Sequence, residues 1–560
     1  MDAPSPDPTP QTAPEAAAPA PRPWGGAFAH PAFAIIWLAS TASLIGIAMY
    51  DTASGWLMTT LDVSPFGVSL LHAAANLPMF LFTLPAGAIA DIVDPRRLIV
   101  AVSAGVAALI AIFAALVHFE LATPLLLLMT TFLLSAAWSL NTPAWLSIIP
   151  NLVPKEDIPG AISANGVAYN VSRTVGPALG GFAILHFGAA TPMWFFTVTN
   201  LVVIAALLWW RAPRKETATL RAERLNSAVR VGVRHAVNNR LLRATLARTL
   251  AIYPFAAAYW GLLPLIARRA GEGPEPYGLM LSAISAGAIL GSLVHRYLRE
   301  RINVDWMVLL GSLGTAAALI LYSWTYDFAM TVAASLIAGT SWVVVLTSLY
   351  VSAQAVLPVW VRGRGLAVFL TIIFGAMTLS SAMWGQVATH IGLPNALLLA
   401  AIGLVIAIPL SWRWRLQQAE AIDLTPSLHW RAPETAEAVD DSRGPVLVKI
   451  DYRIDPKDRT EFLRALDELG EERRRNGAFA WGIFEDMTDF GKFQEAYLIE
   501  SWLELMHLRE RITHEDRMLE ETIKVMLLEA PHIEFLVAPA RQPVARRPRG
   551  RDAPREAAGA

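Results

Sequence analysis

Residues 87–97 read GAIADIVDPRR, and this short charged stretch joins two long apolar segments. The segment that follows, residues 98–117, reads LIVAVSAGVAALIAIFAALV and contains no charged residue. An α-helix rises about 1.5 Å per residue, so about 20 apolar residues cross the roughly 30 Å hydrocarbon core of a bilayer. The stretch therefore predicts a short loop between two membrane-spanning helices.

The same pattern extends over most of the chain, which has 560 residues, 54% of them hydrophobic and 16% charged. This balance is typical of a polytopic membrane protein and does not fit a soluble one. The sequence predicts an all-α membrane protein with two groups of six spans and a small C-terminal α+β domain. The expected spans are 32–58, 66–90, 97–117, 123–147, 160–186, 191–210, 246–267, 277–297, 306–323, 328–353, 364–388 and 393–412.

Several spans contain proline or asparagine, which are costly in contact with lipid. Neighbouring helices can satisfy the backbone groups that such residues free, so these segments should face protein or a cavity. The residues concerned are Asn76, Pro78, Pro85, Asn141 and Pro143.

Basic residues alternate between loops, and their distribution predicts the orientation. The loops after the even-numbered spans are rich in Lys and Arg, whereas the loops after the odd-numbered spans contain almost none. Arg268 and Arg269 are the main exception. We expect a multi-pass protein of the cell (inner) membrane with both termini in the cytoplasm. The basic positions include Arg96, Arg97, Lys155, Arg296, Arg299, Arg301, Arg362 and Arg364.

The breaks between apolar runs predict the domain organisation. The longest internal break contains a basic amphipathic helix around Leu225 to Leu242, which either lies on the anionic leaflet or is a solvated tether. The expected parts are a cytoplasmic tail 1–27, a six-helix half 28–211, a central loop 212–245, a second half 246–414, a linker 415–444, a soluble domain 445–540 and a basic tail 541–560.

The 87–97 stretch has the chemistry of a gate. Gly87 permits close helix approach, and Asp91 and Asp94 next to Arg96 and Arg97 can form an ion cluster in one arrangement of the halves. The stretch resembles the signature loop of the major facilitator superfamily. That resemblance implies two pseudo-symmetric six-helix halves, a central cavity and alternating access.

The fifth span carries a second motif, RTVGPALGG at residues 173–181. It resembles the motif typical of antiporters in the same superfamily, although Ser172 occupies a position that is usually glycine. The residues that carry the resemblance are Gly176, Pro177, Gly180 and Gly181.

Three further segments resemble the transmembrane secretion effector branch of the superfamily, to which enterobactin exporters and macrolide efflux proteins are related. They are Asp51 with residues 53–60, the loop 149–156, and residues 357–365 with Arg362 and Arg364. The resemblance covers residues 28–415 and implies export of small molecules.

Asp51 and Arg173 lie inside expected spans, where ionisable residues are costly and therefore functional candidates. Asp51 could load and release a proton, or it could lie hydrated at the outer mouth and couple to nothing. Arg173 could pair with Asp51 or with an anionic substrate, or it could bind backbone carbonyls.

Aromatic side chains in the second half could line a cavity for an amphipathic cargo. The alternative for each is a lipid-facing or interfacial position. The candidates are Tyr253, Tyr259, Trp260, Trp342 and Trp384.

The segment 445–540 has a β-α-β-β-α-β pattern and resembles the ferredoxin-like domains of antibiotic-biosynthesis monooxygenases, which form dimeric barrels. Glu500, Trp502 and His507 are similar to residues of that family. We expect a dimerising or regulatory module rather than an oxygenase, with His507 and His514 as surface residues and not metal ligands.

These features predict a proton-driven exporter of siderophore-like or drug-like molecules, and not an enzyme. The alternatives are a membrane-tethered enzyme or sensor, an importer and a non-transporting scaffold. We expect no cofactor, no metal and no nucleic acid partner. The chain has no cysteine, which excludes cysteine metal sites, and no Gly-rich nucleotide motif, which argues against ATP-driven pumping, and its net charge of -1 does not argue for nucleic acid. The expected partners are a small-molecule substrate, the lipid bilayer and a second copy bound through residues 445–540.

Overall fold

A computed structural model describes residues 25–210, 225–417 and 443–539, with the single positions 425, 427 and 440. Most of the expected tails 1–27 and 541–560 and of the linker 415–444 lie outside the described residues. The chain divides into two compact units. The membrane unit contains residues 1–233, 241–356 and 362–421, and the tail unit contains residues 422–560 with the short segments 234–240 and 357–361.

The first half of the membrane unit consists of long helices, several of which begin with proline. Proline suits the first helical position, where its missing N–H would have no partner in the helix. The helices are α1 (Gly25–Phe28), α2 (Pro31–Leu61), α3 (Pro65–Ile92), α4 (Pro95–His118), α5 (Pro124–Ile148), α6 (Ile158–Phe187) and α7 (Thr191–Trp209).

The second half begins after a short connecting helix, and its bounds also follow the expected spans closely. The connecting helix is α8 (Leu225–Asn238), and the helices of the second half are α9 (Arg240–Ala256), α10 (Ala258–Ala270), α11 (Glu275–Leu298), α12 (Val304–Trp324), α13 (Phe328–Ala355), α14 (Arg362–Ile391) and α15 (Leu393–Ser411).

Eleven described segments are long and apolar enough to cross a membrane, with α9 and α10 counted as one. The remaining expected span is α6, which is equally long but carries Asn165, Asn170 and Arg173 and is therefore less apolar. The loops that follow α2, α4, α6, α10, α12 and α14 form what we call the far end of the membrane unit. The loops that follow α3, α5, α11 and α13 form the near end.

The expected seventh span, 246–267, is broken into α9 and α10 at Ala257. The carbonyl of Pro254 is bonded from outside its helix, by Ser380 Oγ at 2.8 Å and Trp384 Nε1 at 2.7 Å. Both donors lie on α14, so a neighbouring helix satisfies a backbone group next to the break, as an apolar surrounding requires.

Small residues allow α11 and α13 to pack closely. A Cβ atom at Gly287 would clash with the carbonyl of Leu336, and one at Gly339 would clash with the carbonyl of Ile284. Thr340 Oγ1 donates to the carbonyl of Gly287 at 3.0 Å across the same contact. The two backbones therefore approach at positions where only glycine fits.

A buried ion pair holds the near end of the second half. Arg248, which is 1% exposed, donates to the carboxylate of Asp305, and Arg415 lies 3.5 Å from the same carboxylate. The backbone N–H of Leu416 also donates to Asp305, at 3.3 Å. The chain that follows α15 is thereby fixed to the beginning of α12.

The tail unit contains a four-stranded antiparallel sheet with the order β2-β3-β1-β4. One face packs on helices around Val448, Phe462 and Leu466, with a buried core. This is the β-α-β-β-α-β arrangement expected from the sequence. The elements are β1 (Val446–Arg453), α16 (Arg459–Asn476), β2 (Phe479–Glu485), β3 (Lys492–Ile499), α17 (Trp502–Arg511), α18 (His514–Val525) and β4 (His532–Val537).

Candidate functional site

A cavity of about 240 Å³ lies between the two halves, and we call it the central cavity. Its walls come from α2, α3, α5 and α6 of the first half and from α10 and α11 of the second. Three ionisable side chains line it, namely Asp51, His72 and Arg173, together with Trp260 and Tyr277. The structure thus brings the two ionisable residues singled out in the sequence into one cavity.

Asp51 and Arg173 share the central cavity without a direct bond. Arg173 Nη1 donates to Tyr169 Oη on the same helix at 3.2 Å, and its guanidinium lies 5.6 Å from the centroid of the Tyr169 ring. In the described part of the chain it forms no hydrogen bond with Asp51. The guanidinium is therefore held by a residue of its own helix, α6, in the wall of the cavity that Asp51 also lines.

His72 is a third ionisable group of this cavity, and the sequence analysis did not select it. Its Nδ1 lies 2.9 Å from Asn76 Nδ2, and its ring packs edge-on against Trp260 at 5.9 Å. The sequence signal that could have identified His72 is a single histidine within an otherwise apolar span. It has no charged neighbour in sequence, so its position facing Asp51 and Arg173 depends on the three-dimensional packing.

The antiporter-type motif of α6 packs against two different helices. Gly176 and Gly180 face Ala48 and Met49 of α2, whereas Gly181 lies against Pro274 next to α11. A Cβ at Gly278 of α11 would clash with the carbonyl of Pro177. The motif thus joins the two halves at the far end of the central cavity.

A cation also joins the halves at the far end. Arg268, in the last turn of α10, donates to the carbonyl of Thr59 at 2.6 Å, and its guanidinium lies 5.9 Å from the Trp56 ring. Thr59 belongs to the last turn of α2, where carbonyls lack partners within the helix. Its neighbour Arg269 instead stays in the second half, over the Tyr326 ring at 4.2 Å.

The five aromatic cavity candidates occupy different positions. Trp260 lines the central cavity, and Trp342 packs on it with ring centroids 5.8 Å apart. Tyr253 and Tyr259 are buried against Trp342. Trp384 is bonded to the carbonyl of Pro254. Four of them form one aromatic cluster that reaches the cavity through Trp260, and Trp384 donates its hydrogen bond next to the helix break.

The expected gating loop is described only in part. Gly87 and Asp91 lie in α3, and their side chains fall outside the described residues. Asp94 caps α4 by accepting from the N–H of Arg97 at 2.9 Å, and Arg96 Nε donates to the carbonyl of Leu207 at 2.8 Å. Arg96 thus fixes the loop to the end of α7, within the same half.

In the second half, Arg362 and Arg364 begin α14 at the near end, where the Arg364 side chain touches Gly232. This places both on the side of the membrane unit that also carries the 87–97 loop. Their role as a second gating loop stays a prediction.

A second and larger cavity, of about 430 Å³, lies within the first half, and we call it the N-half cavity. It is formed by α2, α4, α5, α6 and α7. Asn141, Asn165 and Asn200 line it with Trp138 and Trp145. The expectation that Asn141 faces protein or a cavity is confirmed.

The tail unit has its own buried polar cluster. Glu495 is fully buried and accepts from Tyr452 Oη and Trp481 Nε1, both at 2.8 Å. Arg473 donates to Glu520 at 2.9 Å and lies 3.6 Å from Glu472. The described residues contain no group of His, Cys, Asp and Glu side chains that could hold a metal ion.

The tail residues that suggested a monooxygenase-like domain lie at the end of β3 and in the two helices that follow it. Glu500 follows β3, Trp502 begins α17 and is largely buried, and His507 is partly exposed at 3.8 Å from Glu504. His514 begins α18. The resemblance to that family stays a prediction.

Comparison with known proteins identifies the family. A family model described as transmembrane secretion effector matches residues 23–542. The chain belongs to this family of major facilitator transporters. The match runs through the tail unit as well as the membrane unit, and it identifies a family of transporters rather than enzymes.

Curated proteins that are similar to the chain include efflux transporters. The chain is 26% identical over 412 residues to the multidrug efflux pump Tap of Mycobacterium tuberculosis, covering 71% of this chain and 96% of Tap. It is 24% identical over 308 residues to the enterobactin exporter EntS of Salmonella typhimurium, covering 52% of this chain and 70% of EntS.

Solved structures share the fold at low identity. A bacterial homologue of the human lysosomal transporter Spinster, in an inward-facing state, aligns with a TM-score of 0.54 at 15% identity, over 69% of this chain and 96% of that one. The nucleoside transporter NupG aligns with a TM-score of 0.51 at 13% identity, over 68% of this chain and 98% of that one. The expected major facilitator fold is therefore confirmed.

Proposed function

We propose that this protein is a proton-coupled exporter of small molecules that works by alternating access. The observation that carries the proposal is the central cavity, in which both halves surround Asp51, His72 and Arg173. The efflux activities named for Tap and EntS support the direction. The energy source in this proposal is the proton gradient, with no cofactor.

Charge in the central cavity supplies a reason for coupling. An ionised carboxylate is costly whenever the surrounding helices exclude water from it, unless it is paired or protonated. Asp51 can therefore be carried through the change of access as a neutral acid, or as a carboxylate balanced by Arg173. A proton taken up by Asp51 from one side and released to the other would then drive cargo in the opposite direction.

Contacts at the far end support alternating access. Arg268 with Thr59 and Gly278 with Pro177 hold the halves together there. We assign the near end to the cytoplasm because its loops carry the basic residues, which places both termini on that side of the cell membrane. In the proposed orientation, these contacts lie on the periplasmic or outer side and close it in one of the alternating states.

The tail unit contributes a dimerisation surface in this proposal. The sheet face opposite the helices carries a row of apolar residues across all four strands, since Leu447 is paired with Leu498 and Leu536, and Leu498 with Phe479. Phe479 and Leu536 are 42% and 50% exposed. A second copy of the chain would cover this row, as the proposed homodimer requires.

The replacement Asp51→Asn tests the coupling. It keeps the size of the side chain but removes its ability to exchange a proton, so we expect efflux driven by an imposed pH gradient in proteoliposomes to fall at least about tenfold. Efflux of cargo down its own gradient should persist. Glu120→Gln, at an exposed turn on the far side, is the matched control. Undiminished proton-driven efflux by Asp51→Asn would end the proposal for this residue.

A further inference from the structure

We propose that the N-half cavity is a water-filled proton route, which connects Asp51 in the central cavity with the near end of the membrane unit. This inference deepens the proposed function and rests on it, because it supplies the path of the proton that the export cycle exchanges. Cargo keeps the central cavity between the two halves. A separate route lets the proton pass while cargo occupies that cavity.

The central cavity by itself does not extend to the near end. Its described lining residues lie at 48–55 of α2, 68–75 of α3 and 277–285 of α11. The loop between α2 and α3 and the beginning of α11 both belong to the far end. Within the described lining, a proton on Asp51 therefore has a cavity around it but no path to the near end.

The N-half cavity covers the missing depth. Ile99 lines it about one turn after the beginning of α4, and Trp145 lines it about one turn before the end of α5. Both of these helix ends lie at the near end. On α2, Ile47 lines the N-half cavity and the next residue, Ala48, lines the central cavity. The two cavities therefore meet on α2 and together extend from the near end to Asp51.

The N-half cavity is roomy and polar enough for water. Its volume of about 430 Å³ is far above the roughly 10–15 Å³ that one water molecule needs. Hydroxyl and amide groups in its wall both donate and accept hydrogen bonds, as water does. Asn141 Oδ1 is buried and accepts no hydrogen bond from the described residues, so a water molecule can satisfy it. The lining residues with such groups are Ser40, Ser43, Ser103, Asn141, Thr142, Asn165, Tyr169 and Asn200.

Arg173 stands where the two cavities meet on α6. Tyr169 lines the N-half cavity, and its hydroxyl accepts the hydrogen bond from Arg173 Nη1 at 3.2 Å, while Arg173 lines the central cavity. A positive charge in a narrow water path repels protons and other cations. Arg173 therefore closes the junction while Tyr169 holds it, and opens the junction when the guanidinium turns away. Tyr169 acts in this route as a positioning residue.

The proton moves through water and not through a chain of side chains. The O–H bond of protonated Asp51 breaks, and its proton binds to the neighbouring water molecule. Each water molecule of the route gains one proton and passes one on, so the last one releases a proton at the near end. Asp51 remains as a carboxylate, and the reverse sequence loads it again.

The first measurement tests for water in the route. Hydroxyl radicals generated by X-rays in the full-length protein in detergent label side chains that lie next to water. Phe196 lines the N-half cavity and is 3% exposed, whereas Phe113 is 2% exposed and is not among the lining residues of either cavity. We expect Phe196 to be labelled at least about tenfold faster, because water in the cavity supplies the radical.

The second measurement follows the proton itself. After a rapid pH drop applied to the detergent-solubilised protein, infrared spectroscopy records the carboxylic acid band of Asp51, which is assigned by its absence in Asp51→Asn. Asn165→Leu places an apolar side chain in the wall of the route, so we expect the band to appear at least about tenfold more slowly with unchanged final size. Tyr169→Phe frees Arg173 and should make the band appear about tenfold faster, as the loss of one hydrogen bond to a charged group predicts.

Asn170→Leu is the matched control for Asn165→Leu. Like Asn165, Asn170 lies on α6 and donates to a carbonyl of its own helix, but it is not among the lining residues of either cavity. Its band should appear as in the unchanged protein. Equal rates for Asn165→Leu and the unchanged protein, or equal labelling of Phe196 and Phe113, would overturn the inference. Protonation of Asp51 that follows these expectations without proton-driven efflux would instead reject the proposed function alone.

Discussion

Glu472 shows what a single buried carboxylate does to the tail unit. It is 4% exposed, its Oε1 accepts from Asn476 at 3.4 Å, and its Oε2 has no partner among the described residues. Burial raises the pKa of Glu472 well above its usual range, and Asp516 adds to the rise, while Arg473 and Arg475 oppose it. At a pH between the pKa values of the unfolded and the folded state, the native tail unit therefore keeps a proton on Glu472 that the unfolded chain releases.

This proton makes the stability of the tail unit depend on pH. Protonated Glu472 gives its full stabilisation of the tail unit below the pKa of about 4.3 that the residue has in the unfolded chain. This stabilisation is lost as the pH rises through the raised pKa that Glu472 has in the folded state. Between these two pKa values, the free energy of opening the tail unit should fall by up to about 1.4 kcal/mol per pH unit. We expect Glu472→Gln to remove that slope, measured by hydrogen exchange of α16 peptides in the full-length protein with correction for intrinsic rates.

Glu468→Gln is the control for this measurement, because Glu468 is exposed one turn earlier on α16. It should keep the slope of the unchanged protein. A slope that survives in Glu472→Gln would assign the pH dependence to another group of the cluster.

At single positions, sequence could identify residues whose type is unusual for their segment. Asp51 and Arg173 were selected because charges are rare in spans, and both line the central cavity. His72 and Tyr277 line the same cavity; the histidine, a rare residue type in a span, could have been selected in the same way, whereas tyrosine is ordinary in a membrane helix. Whether such a side chain faces lipid, protein or a cavity depends on helix rotation, which a local pattern of mainly apolar residues does not determine.

The individual helices were predictable because length and apolar composition define a membrane span. The expected span 97–117 lies within α4, Pro95–His118, and the expected span 306–323 lies within α12, Val304–Trp324. The break at Ala257 was not predicted, since proline is compatible with both continuous and broken membrane helices. The carbonyl of Pro254 beside the break is bonded by two donors of α14, a contact between helices that the sequence of this segment alone does not indicate.

Close packing of α11 on α13 gives a prediction about elements. A side chain at position 339 would collide with the backbone of Ile284, which cannot move without separating the helices. We expect Gly339→Ala to destabilise the membrane unit by about 1–3 kcal/mol, the usual result of overpacking. The measurement is the temperature at which the detergent-solubilised protein loses its monodisperse gel-filtration peak.

The opposite result is expected at Gly105 of α4, where an added Cβ would meet nothing within 4 Å. Gly105→Ala should raise stability by roughly 0.5–1 kcal/mol, because glycine weakens a helix interior by that amount. If Gly339→Ala and Gly105→Ala changed the stability of the membrane unit equally, the α11–α13 contact would not require glycine at position 339.

In the whole molecule, the two halves are held by different kinds of contact at different depths. Glycine contacts such as Gly278 with Pro177 fix the distance between α6 and α11. Arg268 adds a charge-assisted hydrogen bond to Thr59, which only one arrangement of the halves can satisfy. The two arginines at 268 and 269, which were exceptions in the basic-loop pattern, are therefore accounted for by contacts within the protein.

Removing the Arg268 contact should open the far end. A hydrogen bond to a charged group is worth about 1.5–3 kcal/mol, so its loss should raise the far-end-open population at least about tenfold. The chain has no cysteine, so Ser285→Cys in the wall of the central cavity is a unique thiol reporter. In Arg268→Ala, a membrane-impermeant thiol reagent added to right-side-out vesicles should label it about tenfold faster.

Arg269→Ala is the matched control for this effect. Arg269 is the next residue of α10, but it contacts Ser323 and Tyr326 within its own half, so its loss removes no bond between the halves. We expect its labelling rate to equal that of the Ser285→Cys reporter alone. If both replacements accelerated labelling equally, the cause would be a general loosening of α10. If labelling were fast only in inside-out vesicles, the far end would face the cytoplasm, contrary to the proposed orientation.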